Sequence, residues 1–171
     1  GVLTETDGSR FEGQWKNGML NGYGILRQSD NNIYEGQWLN HSKHGQGTYT
    51  IKNFEKYEGQ WRNGQIEGQG TLTFYSGYFI KGEWNRGQPK IGQATWPNGN
   101  KYEGEFKNWD WHGLGEFSIP DGHHIVGEFR YNEPWETIEY NKNGEMVGKI
   151  IDGVQTMGNS SQITPKLEAR F

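Results

Sequence analysis

The side chains of this chain that could do chemistry recur at fixed places instead of gathering in one. Carboxylates stand at Glu12, Glu35, Glu58 and Glu103, imidazoles at His41, His44, His123 and His124, and large rings at Trp15, Trp38, Trp61, Trp84, Phe106 and Phe129. Acid–base catalysis needs a pair of groups in unlike environments, held by an orienting neighbour. Repetition at equivalent positions gives these carboxylates like environments, which suits solubility and cross-strand pairing. No catalytic residue is therefore expected. His41 and His44 share a turn, and His123 and His124 share another beside Asp121. Two imidazoles without a fixed third ligand make a poor metal site, so no metal is expected. The paired glycines are not phosphate loops, because no Lys-Ser or Lys-Thr follows them. No cofactor and no small-molecule substrate is expected. What remains is the chemistry of contact, carried by the rings.

Those rings belong to one short phrase, written seven times. It reads FEGQW around Gly13, YEGQW around Gly36 and Gly59, IKGEW around Gly82, YEGEF around Gly104, IVGEF around Gly127 and MVGKI around Gly148. Successive glycines are 23, 23, 23, 22, 23 and 21 residues apart. A fixed period of this size marks a stacked array. Strand side chains alternate, so Phe11, Gly13 and Trp15 share one face, as do Tyr34, Gly36 and Trp38, and Tyr57, Gly59 and Trp61. The other face carries Glu12 and Gln14, Glu35 and Gln37, Glu58 and Gln60. One face is aromatic and the other wet, as in an antiparallel sheet covered on one side.

After a polar turn, a second strand opens with two glycines and a hydrophobe two residues apart: GYGIL at 22–26, GQGTY at 45–49, GQGTL at 68–72 and GLGEF at 113–117. Glycine weakens a strand interior, and its reuse here is read as room for a ring from the neighbouring strand to lie on the backbone. DG, SG and NG dipeptides at 7–8, 76–77, 98–99, 121–122 and 143–144 supply the returns. The expected fold is all-β: an elongated single-layer antiparallel sheet of about seven hairpins, each about 23 residues, over residues 1–152. Repeat four lacks one residue near Pro89, with Lys90 replacing the first glycine of its pair, and repeat six is read as placing Glu136 and Ile138 where both glycines stood. Gly1–Thr4 aligns with Gly70–Thr73, which starts the chain inside a second strand and leads to an expectation of more sequence upstream. Residues 153–163 read as a linker. Residues 164–171 read as a short helix or cap, with Thr164 as N-cap, Pro165 in the first turn, and Leu167 and Phe171 on one face.

Composition narrows the function classes. Glycine supplies 27 of 171 residues and aromatic residues 15%, and the two are in phase, which separates this chain from disordered glycine-rich sequences. The net charge is −4 with both signs scattered, so no basic stripe exists to bind nucleic acid, and none is expected as a partner. The same balance weakens a purely electrostatic attachment to membranes. Cysteine is absent, which removes a disulfide framework and a thiolate metal cage. No apolar run reaches the length of a spanning helix.

The pattern YxGxW, a turn, then GxG and a hydrophobe, repeated near 23 residues, resembles the MORN (membrane occupation and recognition nexus) repeat family over about residues 1–150. Repeats one, two, three and five match it best. The resemblance implies a non-enzymatic scaffold or adaptor with an aromatic-lined groove, and an intracellular setting that is cytoplasmic, cytoskeletal, ciliary or membrane-peripheral. It implies a partner peptide or helix, or a second copy of the chain, and as the alternative a phospholipid surface. The rings are expected to fill the sheet's inner face and hold neighbouring hairpins together. A one-layer sheet leaves part of that face exposed, so Tyr34, Trp38, Tyr57, Trp61 and Trp84 are also expected to contact the partner. Trp109, Trp111 and Trp135 stand where other repeats place glycine or polar residues. They are read as turn residues outside the repeat's structural requirement, and as further partner contacts or packing for the tail helix.

Overall fold

The computed structural model describes residues 1–157. The helix expected over 164–171, and 158–163 of the expected linker, lie outside the described residues. Fifteen strands follow one another in chain order, every pair antiparallel. The first seven are β1 (Val2–Thr4), β2 (Arg10–Lys16), β3 (Met19–Arg27), β4 (Ile33–Leu39), β5 (Ser42–Ile51), β6 (Glu55–Arg62) and β7 (Gln65–Phe74). The rest are β8 (Phe79–Asn85), β9 (Gln88–Thr95), β10 (Lys101–Lys107), β11 (Asp110–Ser118), β12 (His124–Arg130), β13 (Glu133–Tyr140), β14 (Met146–Ile151) and β15 (Val154–Met157). β15 falls inside the interval read as linker, paired with β14 across the Asp152-Gly153 turn. The chain divides into an N-terminal unit, Gly1–Tyr75 with Lys81–Gly87, and a C-terminal unit, Ser76–Ile80 with Gln88 onwards.

Each hairpin turns on two residues in left-handed conformation, as a primed turn requires. Asn17-Gly18 and Asn63-Gly64 use the expected residues, while Asn40-His41, Asn108-Trp109 and Tyr131-Asn132 do without glycine. The returns between hairpins are closed differently. The side chains of Asp7, Asp30, Asn98 and Asp121 each accept the backbone N–H two residues on, at 2.8–3.0 Å. These short polar caps satisfy backbone donors where no strand can.

The glycine pair controls the interior of every regular hairpin. Gly36 lies directly opposite Gly47, and Gly59 opposite Gly70. A Cβ built on Gly70 would lie 2.1 Å from the Tyr57 hydroxyl oxygen, and one on Gly47 2.3 Å from that of Tyr34. Each tyrosine ring therefore lies across a strip of bare backbone. Its hydroxyl continues to the strand's own bulge, where Tyr34 donates to the Gln37 carbonyl at 2.9 Å and Tyr57 to that of Gln60 at 3.2 Å. The bulge follows because two residues more are spent on the second strand: Gly36 faces Gly47, yet Trp38 faces Lys43. The backbone donor released there is taken by the residue after the anchor glycine. Gln14, Gln37 and Gln60 accept the N–H of Tyr23, Gln46 and Gln69 at 2.8–2.9 Å. That side chain fills the space over the first glycine of the pair, since a Cβ on Gly45 would meet the Gln37 Oε1 at 1.8 Å.

Neighbouring hairpins are then locked together by indole and turn-amide bonds that run one way. Trp38, Trp61 and Trp84 donate their indole N–H to the carbonyls of Gly24, Gly47 and Gly70, each at 3.1 Å and each one hairpin back. The turn amides of His41, Gly64 and Gly87 donate to the carbonyls of Leu20, Lys43 and Ile66, again one hairpin back, and Asn132 and Gly153 do the same to Trp111 and Trp135.

Repeat six corrects one alignment. Its hairpin is a residue shorter and its bulge smaller, so Gly127 pairs with Thr137 and Ile125 with Glu139. The residues in the second-glycine and hydrophobe positions are thus Thr137 and Glu139, not Ile138. Both are buried, with Glu139 9% exposed, and the Thr137 hydroxyl has no hydrogen-bond partner. Burial pushes the Glu139 carboxyl above its ordinary value, opposed in part by the charge of His123.

Two outcomes follow. Gly70→Ala should lower stability by about 1–3 kcal/mol through overpacking against Tyr57, seen as a lower midpoint in thermal unfolding. Pairing it with Tyr57→Val should recover part of the loss. The raised carboxyl means that the folded chain holds the Glu139 proton more tightly than the unfolded chain. Its contribution is therefore whole below the ordinary carboxylate range and is lost as pH rises through the raised value. Glu139→Gln removes that dependence, so the melting temperature of the variant relative to the parent should be higher at pH 7 than at pH 4.5. An equal difference at both would show that burial does not perturb this carboxyl.

Candidate interaction surfaces

Of the two roles expected for the aromatic stripe, the structure shows the packing one: the stripe is filled from within. Tyr34, Trp38, Tyr57, Trp61 and Trp84 are all buried, the most exposed at 6%. Edge-to-face contacts produce this: Tyr34 meets Trp38 at 5.0 Å and Trp61 at 5.2 Å, and Tyr57 meets Trp61 at 5.4 Å and Trp84 at 5.6 Å. Each tyrosine sits between the tryptophan of its own hairpin and that of the next, an arrangement worth about 0.5–1.5 kcal/mol per pair beyond burial. Burial holds the tyrosine hydroxyls protonated, that of Tyr57 pushed up to about 12 against the opposing effect of its hydrogen bond to Gln60. Repeat two adds a cation here. Lys43 takes the inner position held by Leu20 and Ile66 in its neighbours, with Nζ 4.0 Å from the Tyr49 ring centre, 4.9 Å from Trp61 and 5.0 Å from Tyr34. Burial lowers the basicity of that amine.

The three tryptophans read as extra to the repeat separate. Trp111 is core, 2% exposed, and not a turn residue. It pairs with Phe106 in the register where Leu20 pairs with Trp15 and Ile66 with Trp61. Its ring stacks on Tyr102 at 4.5 Å and packs against Trp96 and Phe129. The phenylalanines of repeats five and six leave volume that Trp111 takes up. The signal was present, since Trp111 lies seven residues after its anchor glycine, like Leu20 and Ile66. Trp109 is a turn residue, half-buried, in a left-handed backbone conformation of φ 72°. A bulky side chain rarely adopts this, at a cost of order 1–3 kcal/mol. Trp135 occupies the first-glycine position of the shortened repeat six, with the Arg130 guanidinium 4.4 Å over its ring. The structure thus brings the core rings together, with Trp111 among them.

The face opposite the rings carries an opening that the residue pattern had marked only as wet. In the N-terminal unit a groove of 840 Å³ is lined by Tyr23, Glu35, Gln46, Thr48, Lys56, Glu58, Gln69, Thr71 and Lys81, with Gly36, Gly47, Gly59 and Gly70 among them. Its size lies within the range of specific binding clefts. Its walls are side chains free to meet a ligand in place of water. Among the described residues, two side-chain contacts within it are fixed: the Tyr23 hydroxyl donates to the Glu35 carboxylate, and Lys56 pairs with Glu58 at 2.9 Å, both exposed. Among the described residues, no three His, Cys, Asp or Glu side chains group to hold a metal ion. His123, read as a turn residue, has its N–H and its ring on the Asp121 carboxylate, and the backbone bond comes first among the causes that lower that carboxyl's pKa. Among the described residues no helix is long and apolar enough to cross a membrane.

A family model described as MORN repeat matches residues 11–33, 34–54, 57–77 and 102–124, together just over half of the chain. No curated protein matches it. The matched segments are repeats one, two, three and five, the hairpins with the wide bulge and the glycine pair. Repeats four and six, which carry Pro89 and Pro134 in a shortened second strand, fall between or beyond them. Register, glycine pair and family model agree, and the chain belongs to the MORN repeat family.

Proposed function

We propose that the chain is a non-enzymatic scaffold module that holds a segment of a partner protein on the outer face of its sheet, opposite the rings. MORN repeats generally serve as protein- or lipid-binding scaffolds. The observation that carries the choice of face is the burial of the aromatic stripe. Rings already covered by their neighbours offer a partner little new area, whereas the groove lined by Gln46, Thr48, Gln69 and Thr71 offers unpaired donors and acceptors at regular spacing. Tyr34, Trp38, Tyr57, Trp61, Trp84 and Trp111 then act by building the surface. Trp109 and Trp135, both half-buried, lie nearer solvent than these rings.

The two faces separate in a pull-down paired with thermal melts. Trp38→Ser with Trp61→Ser should unfold the N-terminal unit, since truncating a buried tryptophan costs about 3–5 kcal/mol. Gln46→Arg with Thr71→Arg should leave the melt nearly unchanged, because these positions are exposed or half-exposed, and should lower partner recovery at least fivefold. Full recovery with the arginine variant, or recovery of lipid vesicles alone, would defeat the reading.

A further inference from the structure

The outer face of the C-terminal unit departs from that of the N-terminal unit in charge placement. Register sets side chains directly opposite one another, where like charges repel. In repeats one to three the glutamate before the anchor glycine faces neutral residues: Glu12 faces Ile25, Glu35 faces Ile25 and Thr48, and Glu58 faces Thr48 and Thr71. In the C-terminal unit Glu103 faces Glu116, and Glu128 faces Glu136. Arg130 pairs with Glu128 at 2.8 Å, while among the described residues Glu103, Glu116 and Glu136 have no ion pair. Between the two acidic pairs lie apolar side chains. Leu114, opposite Glu128, is 68% exposed, and Val126, opposite Glu116, is exposed as well. The repeat pattern requires none of this, since the matching positions of repeats two and three carry glutamine and glutamate: Gln46, Gln69, Glu35 and Glu58.

We infer that this patch, centred on Leu114, binds a Lys- or Arg-rich amphipathic helix of a partner protein. The inference rests on the scaffold reading and names the partner's chemistry. Cations from the partner relieve both repulsions, and apolar residues on the same helix face cover Leu114 and Val126. The two acidic pairs are two strand spacings apart across the sheet and two residues apart along it, on the order of 12 Å. Two turns of α-helix span about 11 Å, so basic residues seven or eight apart reach both pairs with apolar residues between them. A flat acidic face without apolar side chains would take any polycation. The exposed leucine and valine select an amphipathic one.

The test uses the full 171-residue chain and fluorescein-labelled helical peptides, LKKLLKLLKKLLKL and its counterpart with every lysine replaced by glutamate, read by fluorescence anisotropy at physiological salt. The basic peptide should bind at least tenfold tighter than the acidic one. Glu103→Lys with Glu116→Lys should weaken it at least tenfold, and Leu114→Ala several-fold. Glu5→Lys with Glu12→Lys makes the same change in net charge on the N-terminal unit, outside the groove, and should alter affinity less than twofold. Equal loss from the two charge reversals would reduce the attraction to net charge and overturn the site. Loss through Gln46→Arg with Thr71→Arg instead would place the peptide in the groove, leaving the scaffold reading intact and this one wrong. Failure of the groove variants to affect a native partner, with peptide binding kept at Leu114, would do the reverse. Binding of phosphatidylserine vesicles that Leu114→Ala abolishes would also overturn the helix as occupant.

Discussion

A tyrosine ring resting on backbone that has no side chains is the contact from which the remaining structure follows. It forces glycine at two directly opposed positions, because a single Cβ there would come within about 2.1–2.8 Å of the ring or the facing backbone. It sends the hydroxyl to the carbonyl at the bulge, which fixes where the strand must break register. The broken register frees a backbone donor, and the adjacent glutamine takes it. One packing contact thus accounts for four positions of the repeated phrase: tyrosine, both glycines and glutamine. The last tryptophan of the phrase completes the set by covering the ring from the next hairpin.

This mutual coverage explains how a single layer of sheet can bury its rings. A globular domain hides apolar surface beneath a second layer. Here the cover for each ring is a ring from the adjacent repeat, so burial grows with the number of hairpins. Surface that would be expected to recruit a partner is already occupied. On the opposite face the bulge glutamines are held by the fold, and the remaining side chains are free to vary. The contrast between the neutral groove of the N-terminal unit and the paired glutamates of the C-terminal unit shows that variation within one chain.

Strands, turns and the aromatic face were legible because period two and period twenty-three are both printed in residue type. The opposed glycines were legible as space, although the ring that fills the space could be assigned only from register. Trp111 was misplaced because proximity to Trp109 in KNWDWHG outweighed its phase. Counting from Gly104 puts it with Leu20 and Ile66, inside the core. The identity of the Thr137 slot was missed for a related reason, since a one-residue deletion shifts every later position and no local residue type announces it. The role of Gln14, Gln37 and Gln60 was hidden more deeply. A glutamine on a wet strand face looks like solubility until the bulge beside it leaves a donor that only it can reach.

The direction of the locks between hairpins gives the array a polarity. The indoles of Trp38, Trp61 and Trp84 and the turn amides of His41, Gly64, Gly87, Asn132 and Gly153 all point to the hairpin before. A buried donor with no acceptor is harder to tolerate than a carbonyl left to water. Trp15, whose buried indole nitrogen has no partner, displays the first situation. Removing repeats from the front of such an array strands buried indole donors, whereas removing them from the back leaves the indoles of the remaining repeats paired. Its two ends are therefore unequal places to lengthen, trim or fuse the array.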